Sequence, residues 1–485
     1  MDKLLGFAPN VDPTTPGAML DCEHIIPFEA GFAGAPNAAT TPADALPAEC
    51  RGAVVLTKLD DTRRLFAGTQ TKLYELSGTA WTDRSAGGGS YTGSVDSRWS
   101  FCQFGDTSMA SNLVDAMQQS TTGAFAAVPT APKAKIIVSA ANNFVLAFHT
   151  NEGTFGVAPD RWWCCAQSNQ NDWVPAVATS ANTGRLIATP GSIQAAMTLG
   201  DYVIAYKSRG IFVGTYVGSP VVWQWALVPG SNDAGCVGQE ALCDLGGVHF
   251  VVGADDFWLF DGSRPTSIGA EVRDWFRLNS SETYRFRTRC TYDQPRRLVW
   301  INFASRDSTG QLDRCMVYNT TTKRFGLTHH ISEATLLYTA PGVTIDGLDA
   351  YASTIDGLPT VPFDSAYWLS GGRAFAHFDE LHRLVLRNAA ATNSSYTTND
   401  MGDDDLVTML DGVRIRFHIE PTSATCTGFW KMTPGAALQS GPTEAMYDGE
   451  FQVRQSGRFH RLRFDFVGPH REGAHKAKLN PDGER

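Results

Sequence analysis

Tyr202-Val203-Ile204-Ala205-Tyr206, then Gly210-Ile211-Phe212-Val213-Gly214, then Val222-Trp223-Gln224-Trp225 is the stretch that decides the fold. Each run has strand length, is rich in β-branched and aromatic residues, and is bounded by turn formers. The uncharged part, Ile211 to Val228, contains Gly214, Gly218, Ser219 and Pro220. Those residues break a membrane helix, so the stretch reads as two strands and a turn.

The same cycle recurs on either side. Arg64–Gly68, Leu73–Leu76 and Ala80–Thr82 form the first copy, and Trp99–Phe104, Thr107–Ser111 and Ala124–Val128 a second, weaker one. Phe144–Phe148 with Thr154–Val157 is the third, and the opening stretch is the fourth. Val248–Val252, Phe257–Gly262 and Pro265–Ile268 make the fifth; Arg297–Ile301, Cys315–Asn319 and Arg324–Leu327 the sixth. A lead strand about every 40–60 residues is the period of propeller blades. A single meander cannot bury both of its apolar faces, whereas radial packing buries them and leaves only short edges. The expectation is an all-β protein with a six-bladed β-propeller over 52–388. Stacked β-sandwiches could use the same strands, but a period held through six copies favours the propeller. Residues 333–380 read as an irregular, Gly-rich insertion. One helix is expected at Ala270–Phe276, where Val272, Trp275 and Phe276 share a face.

The flanks differ. Residues 1–51 carry Pro9, Pro13, Pro16, Pro27, Pro36, Pro42 and Pro47 and read as an extended arm with one strand at His24–Phe28. After a small, polar segment ending in Asp403-Asp404-Asp405, two stretches alternate cleanly. Val413, Ile415, Phe417 and Ile419 oppose Arg414, Arg416, His418 and Glu420; Leu462, Phe464 and Phe466 oppose Arg461, Arg463 and Asp465. One face is core and the other wet, which predicts a small antiparallel β-sandwich or barrel at 389–468. The arginines are expected to pair with acidic surface, since no aromatic platform for bases lies between them. Residues 469–485 read as a flexible tail.

Composition agrees with many strands and turns: of 485 residues, 46 are Gly, 24 Pro, and only 19% are charged. A net charge of −10 excludes affinity for nucleic acid through bulk charge. The N-terminal Met1–Pro9 lacks the apolar run of a signal peptide, so no export signal is expected. The ten cysteines show neither C-x-x-C nor zinc-finger spacing and read as small buried hydrophobes, the adjacent Cys164-Cys165 included.

No motif reads as catalytic. Asp160, Asp255-Asp256, Asp261 and Asp403–Asp405 are candidate glycosidase carboxylates, but all adjoin turn residues, where Asp serves the backbone. His329-His330 is a vicinal pair that cannot present both rings to one ion. The acidic run lacks calcium-loop spacing, and Ala86–Ser90 has neither the Lys nor the helix of a phosphate loop.

Asp12–Gly17, Gln103–Asp106, Phe257–Ser263 and Ile268–Val272 leading into Trp275-Phe276 occur here in a set order. With a propeller behind a Pro-rich arm and before a small β-domain, that order resembles the tail hub or nozzle proteins of short-tailed (podovirus) bacteriophages over about 1–468. The resemblance implies a structural virion protein, assembled in the host cytoplasm, without catalytic, cofactor or metal residues and without stable membrane association. It implies a homohexamer below the portal and adaptor ring that docks tail fibres or tailspikes. Double-stranded DNA would pass through transiently, and a bore lined with carboxylates, Asp403–Asp405 among them, would not hold the phosphates. The alternative is a carbohydrate-binding or glycoside-hydrolysing propeller of a receptor-binding tail protein.

Overall fold

The spacing of tryptophan and glycine shows why these segments pair as they do. In the strand Ile211–Gly218, Gly214 pairs with Trp225 of Val222–Leu227, and a Cβ at Gly214 would lie 2.7 Å from the indole. Gly184 sits under Trp162 in the same way, with its Cβ position 2.9 Å from the ring nitrogen. Glycine here makes room for the neighbouring ring, so an aromatic lies flat on the sheet and adds its large apolar area to the inter-blade core.

The computed structural model describes residues 2–339, 348, 351–362 and 373–482. It is all-β, and six free-standing sheets of four antiparallel strands form the six blades of a propeller. They span 53–83, 100–127, 133–185, 193–227, 242–267 and, for the sixth, 334–389. The sixth cycle of the sequence reading, the meander 289–332, takes a place in the same ring between the fifth and sixth sheets. Its sheet is not free-standing, because it runs on into the arm and the C-terminal domain.

The stretch read as an irregular insertion is therefore largely a blade: Ala334–Thr339, Arg373–Phe378 and Leu384–Ala389 are three of its strands. Residues 340–347, 349–350 and 363–372 of that stretch lie outside the described residues. The fourth strand, Asn37–Thr40, comes from the arm, with Thr40 opposite Val385 and Ala39 opposite Leu386. A strand borrowed from the other end of the chain removes an open edge and ties the ring shut.

The arm is more regular than its prolines suggest. Ile25–Phe28 pairs with Phe325–Ser332 of the meander and with Gly31–Gly34, which in turn pairs with Arg471–Pro481. A Cβ at Gly326 would sit 2.3 Å from the carbonyl oxygen of Ile25, so only glycine admits this crossing. The tail expected to be flexible is thus a correction. Residues 471–481 form a long strand against Thr408–Ile419, because Glu472, Ala474 and His475 have a buried face to occupy.

The C-terminal domain is a sandwich of two sheets. One is the continuation of the meander; the other carries Ala18–Glu23, Asn393–Thr398, Phe459–Val467 and Ser423–Lys431. Tyr396, Leu410, Val413, Ile415, Leu462, Phe464 and Phe466 fill it. Arg461 meets Asp400 at 2.7 Å, Arg463 meets Asp465 at 3.1 Å, and Arg414 lies near Asp448 and Glu450, as the alternating pattern predicts. One apolar core runs from Tyr206, Phe250 and Phe257 of the propeller through Phe7, Ile25 and Phe32 of the arm into the sandwich. The helix lies at this junction, at Arg273–Asn279, three residues later than the apolar spacing suggests, with Trp275 edge-on to Phe7 at 4.9 Å.

Candidate functional site

The first strands of the blades line a central cavity of about 680 Å³, with Val54, Phe101, Ile137, Met197, Leu242, Tyr292 and Leu336 among its walls. Such walls follow from the strand period, which gives an inner strand an axial face as well as faces toward its neighbours. At one end the wall turns polar. Glu240, immediately before the strand Leu242–Asp244, borders the cavity and points a carboxylate at Arg289, the first residue of Arg289–Asp293.

Around this pair gather the residues that precede other inner strands. Glu49 lies 3.0 Å from Arg51 and 3.6 Å from Arg98. Arg287 is bound to Asp96 at 2.6 Å and to the Gly310 carbonyl at 2.9 Å. The loop 94–97 spans the group, since Arg51 donates to the Ser94 carbonyl at 2.8 Å while Asp96 takes Arg287. Arg98 and Arg289 start strands of well-separated blades, so the cluster closes one end of the axis. Burial, and then the adjacent Arg289 charge, draw the Arg98 pKa down to about 9, against the pull of Glu240 and Glu49. Nearby, Glu333 accepts from the Cys50 amide at 2.9 Å and meets His382 Nδ1 at 2.5 Å; burial raises its pKa.

This convergence was not expected. The charged residues are scattered, in 49–51, 96–98, 240 and 287–289, and only ring closure brings them together. The one available signal is a charged residue shortly before an inner strand in several repeats. Chemically, guanidinium groups with free N–H donors can hold an anion.

The carboxylates weighed from sequence are dispersed. Asp160 pairs with Arg185 at 2.8 Å. Asp256 accepts from the Phe257 amide and the Ser267 hydroxyl, and Asp255 lies 3.1 Å from Arg209. Asp261 takes the Ser263 amide and hydroxyl, which lower its pKa, and Asp403 takes the Asp405 amide. None borders the central cavity. Asp261 and Asp403 thus hold turns, whereas Asp160 lies within the strand Gly156–Cys164 and Asp256 is buried 3.4 Å from Arg273.

His329 and His330 point to opposite faces of one strand. His329 faces Glu23 at 3.3 Å and, with Glu23 and His24, forms a three-residue group of metal-ligand type. Its Nε2 lies 2.7 Å from Arg314 Nη1. A guanidinium only donates, so Nε2 accepts and the ring proton sits on Nδ1, toward Glu23. That tautomer leaves no lone pair for an ion, and Arg314 adds a positive charge beside it; the residues do not suit a cation. His330 meets Arg387 at 2.9 Å and stacks near His377 at 4.7 Å. All ten cysteines are free and buried.

Fold and site together define an all-β propeller protein with a closed, arginine-rich axis. No family model matches the chain, and no curated protein does. Among solved structures, it is similar to the extracellular domain of a hybrid two-component system protein from B. thetaiotaomicron, at 10% identity and a TM-score of 0.32. That match covers 84% of this chain and 47% of the other, so the chain spans about half the length of that domain. A computationally designed protein, Ika8, matches at 8% identity and TM-score 0.34, covering 71% of this chain and 97% of the designed one. YCF48 from Cyanidioschyzon merolae matches at 12% and 0.35, covering 58% and 86%. Likenesses this distant carry no argument about activity.

Proposed function

We propose that this chain is a structural subunit of a short phage tail, a hub or nozzle that prolongs the portal and adaptor channel. It would act as a homohexamer, carry tail fibres or tailspikes, and let double-stranded DNA pass. The observation that carries this reading is the continuity between propeller and sandwich. One hydrogen-bonded sheet and one apolar core run through the meander, the arm and the C-terminal strands. A part that transmits force along a tail gains from having no hinge, whereas separate domains joined by a linker would yield. The propeller's own axis, filled at one end by side chains, is no path for a duplex, so the conduit in this reading lies between subunits. Asp403, Asp404 and Asp405, all exposed, are candidates to face it.

The test is immunogold labelling of intact virions with antibody to this chain, followed by electron microscopy of the tail. Label on the tail axis and a sixfold ring of subunits are expected. Label elsewhere, or release of reducing sugar from host polysaccharide by the purified chain, would replace this reading with the receptor-binding alternative.

A further inference from the structure

Arg289 is 1% exposed, and none of its three guanidinium nitrogens has a hydrogen-bond partner. Its Nε lies 2.9 Å from Glu240 Oε2, but out of line for a hydrogen bond. Across the axis Arg98, whose side chain is 10% exposed, leaves its Nη1 unpartnered as well, 3.6 Å from Glu49. Buried polar groups are almost always satisfied, and an unpaired buried charge is costly. Arg51, Arg98, Arg287 and Arg289 share Glu49, Glu240 and Asp96, Glu49 is divided between Arg51 and Arg98, and the nearby Glu333 is already held by the Cys50 amide and His382.

We infer that the axial cluster is a binding site for one tetrahedral oxyanion of the phosphate or sulfate class, held between Arg289 and Arg98. A carboxylate has two oxygens and satisfies one guanidinium fork; donors arriving from opposite sides of the axis call for the four oxygens of a tetrahedral anion. The adjoining cavity leaves room for the group to arrive free or as an ester. Glu240 then acts as a competitor that occupies Arg289 when the anion is absent. The site stands independently of any role in a tail.

The experiment is isothermal titration calorimetry of the full chain in chloride buffer, with inorganic phosphate in one arm and glycerol phosphate in the other. Saturable binding of one anion per chain is expected. Heat with phosphate alone marks a free anion site, and heat with both marks one that accepts esters. Arg289→Met is expected to weaken binding by about tenfold or more, the usual scale of a charge-assisted hydrogen bond. Should that variant fail to fold, Glu240→Gln provides the second reading. Removing the competitor should tighten phosphate binding several-fold, an effect that a purely structural ion pair would not produce. Absence of saturable heat in both the native chain and Glu240→Gln overturns the inference.

Discussion

Arg64 and Arg289 are both buried arginines near the start of a strand, and they are built on opposite plans. Arg64 uses every nitrogen: Nε and Nη2 grip Glu75 at 2.6 and 3.1 Å, and Nη1 bonds the Ser120 hydroxyl at 3.0 Å. Nη2 also reaches the Thr122 and Gly123 carbonyls, and Arg84 supports the same carboxylate at 2.7 Å. Arg289 is more deeply buried and makes no hydrogen bond, only the ion pair with Glu240 at 2.9 Å. The difference teaches how to tell a fastener from a receptor. A closed network holds two blades together, whereas open donors next to Glu240, which borders the cavity, have capacity left for something that arrives later.

The largest effect should come from breaking the closed network. Glu75→Ala strands Arg64 without its counter-ion, and we expect a loss of about 3–5 kcal/mol in urea denaturation. A loss near zero would mean that the first pair of blades does not depend on this clamp. The lone carboxylate Glu472 extends the contrast to a group with a single neutral partner, the Tyr396 hydroxyl at 3.2 Å. Burial pushes its pKa up from 4.5 to about 8. The folded chain then keeps a proton that the unfolded chain releases. Stability is full below about pH 4.5 and falls as pH rises through 8. Glu472→Gln should flatten that part of the stability–pH curve; an unchanged slope would show that the carboxyl is solvated.

Arg289→Met should behave differently from Glu75→Ala. In chloride buffer without phosphate, Arg289→Met leaves the partner Glu240, whose side chain is 29% exposed, in reach of water, so the loss should be about 0–1 kcal/mol. A loss as large as that of Glu75→Ala would erase the distinction between the two arginines. The smallest effect is at His470, stacked on Phe466 at 4.3 Å, where burial holds the pKa down to about 4. The unfolded ring takes up a proton near 6.5 and the folded ring does not. Its contribution is therefore present above pH 6.5 and lost as pH falls through 4, and His470→Asn should remove that step from acid melting curves.

Much of this was readable from particular residues. Gly214 and Trp225, and the alternation of Val413–Ile419 and Leu462–Phe466, mark strands and their inner faces because side chains repeat every second residue. The tail was misread because Arg471, Lys476 and Lys478 dominate its composition. Its buried residues are His470, Glu472, Ala474 and His475, and no hydrophobicity pattern reports a buried glutamate. The blade at 334–389 was missed because its fourth strand lies about 300 residues earlier, in the arm.

Sequence alone determined the all-β class, the repeated meanders and the buried cysteines. Each of these is local: it depends on neighbours within one strand or one turn. Only tertiary structure decided how the arm sews propeller to sandwich, and that Glu240, Arg98 and Arg289 meet on one axis. Ring closure places the beginnings of distant repeats side by side, and the cluster of buried guanidinium donors this creates exists only once the ring has formed.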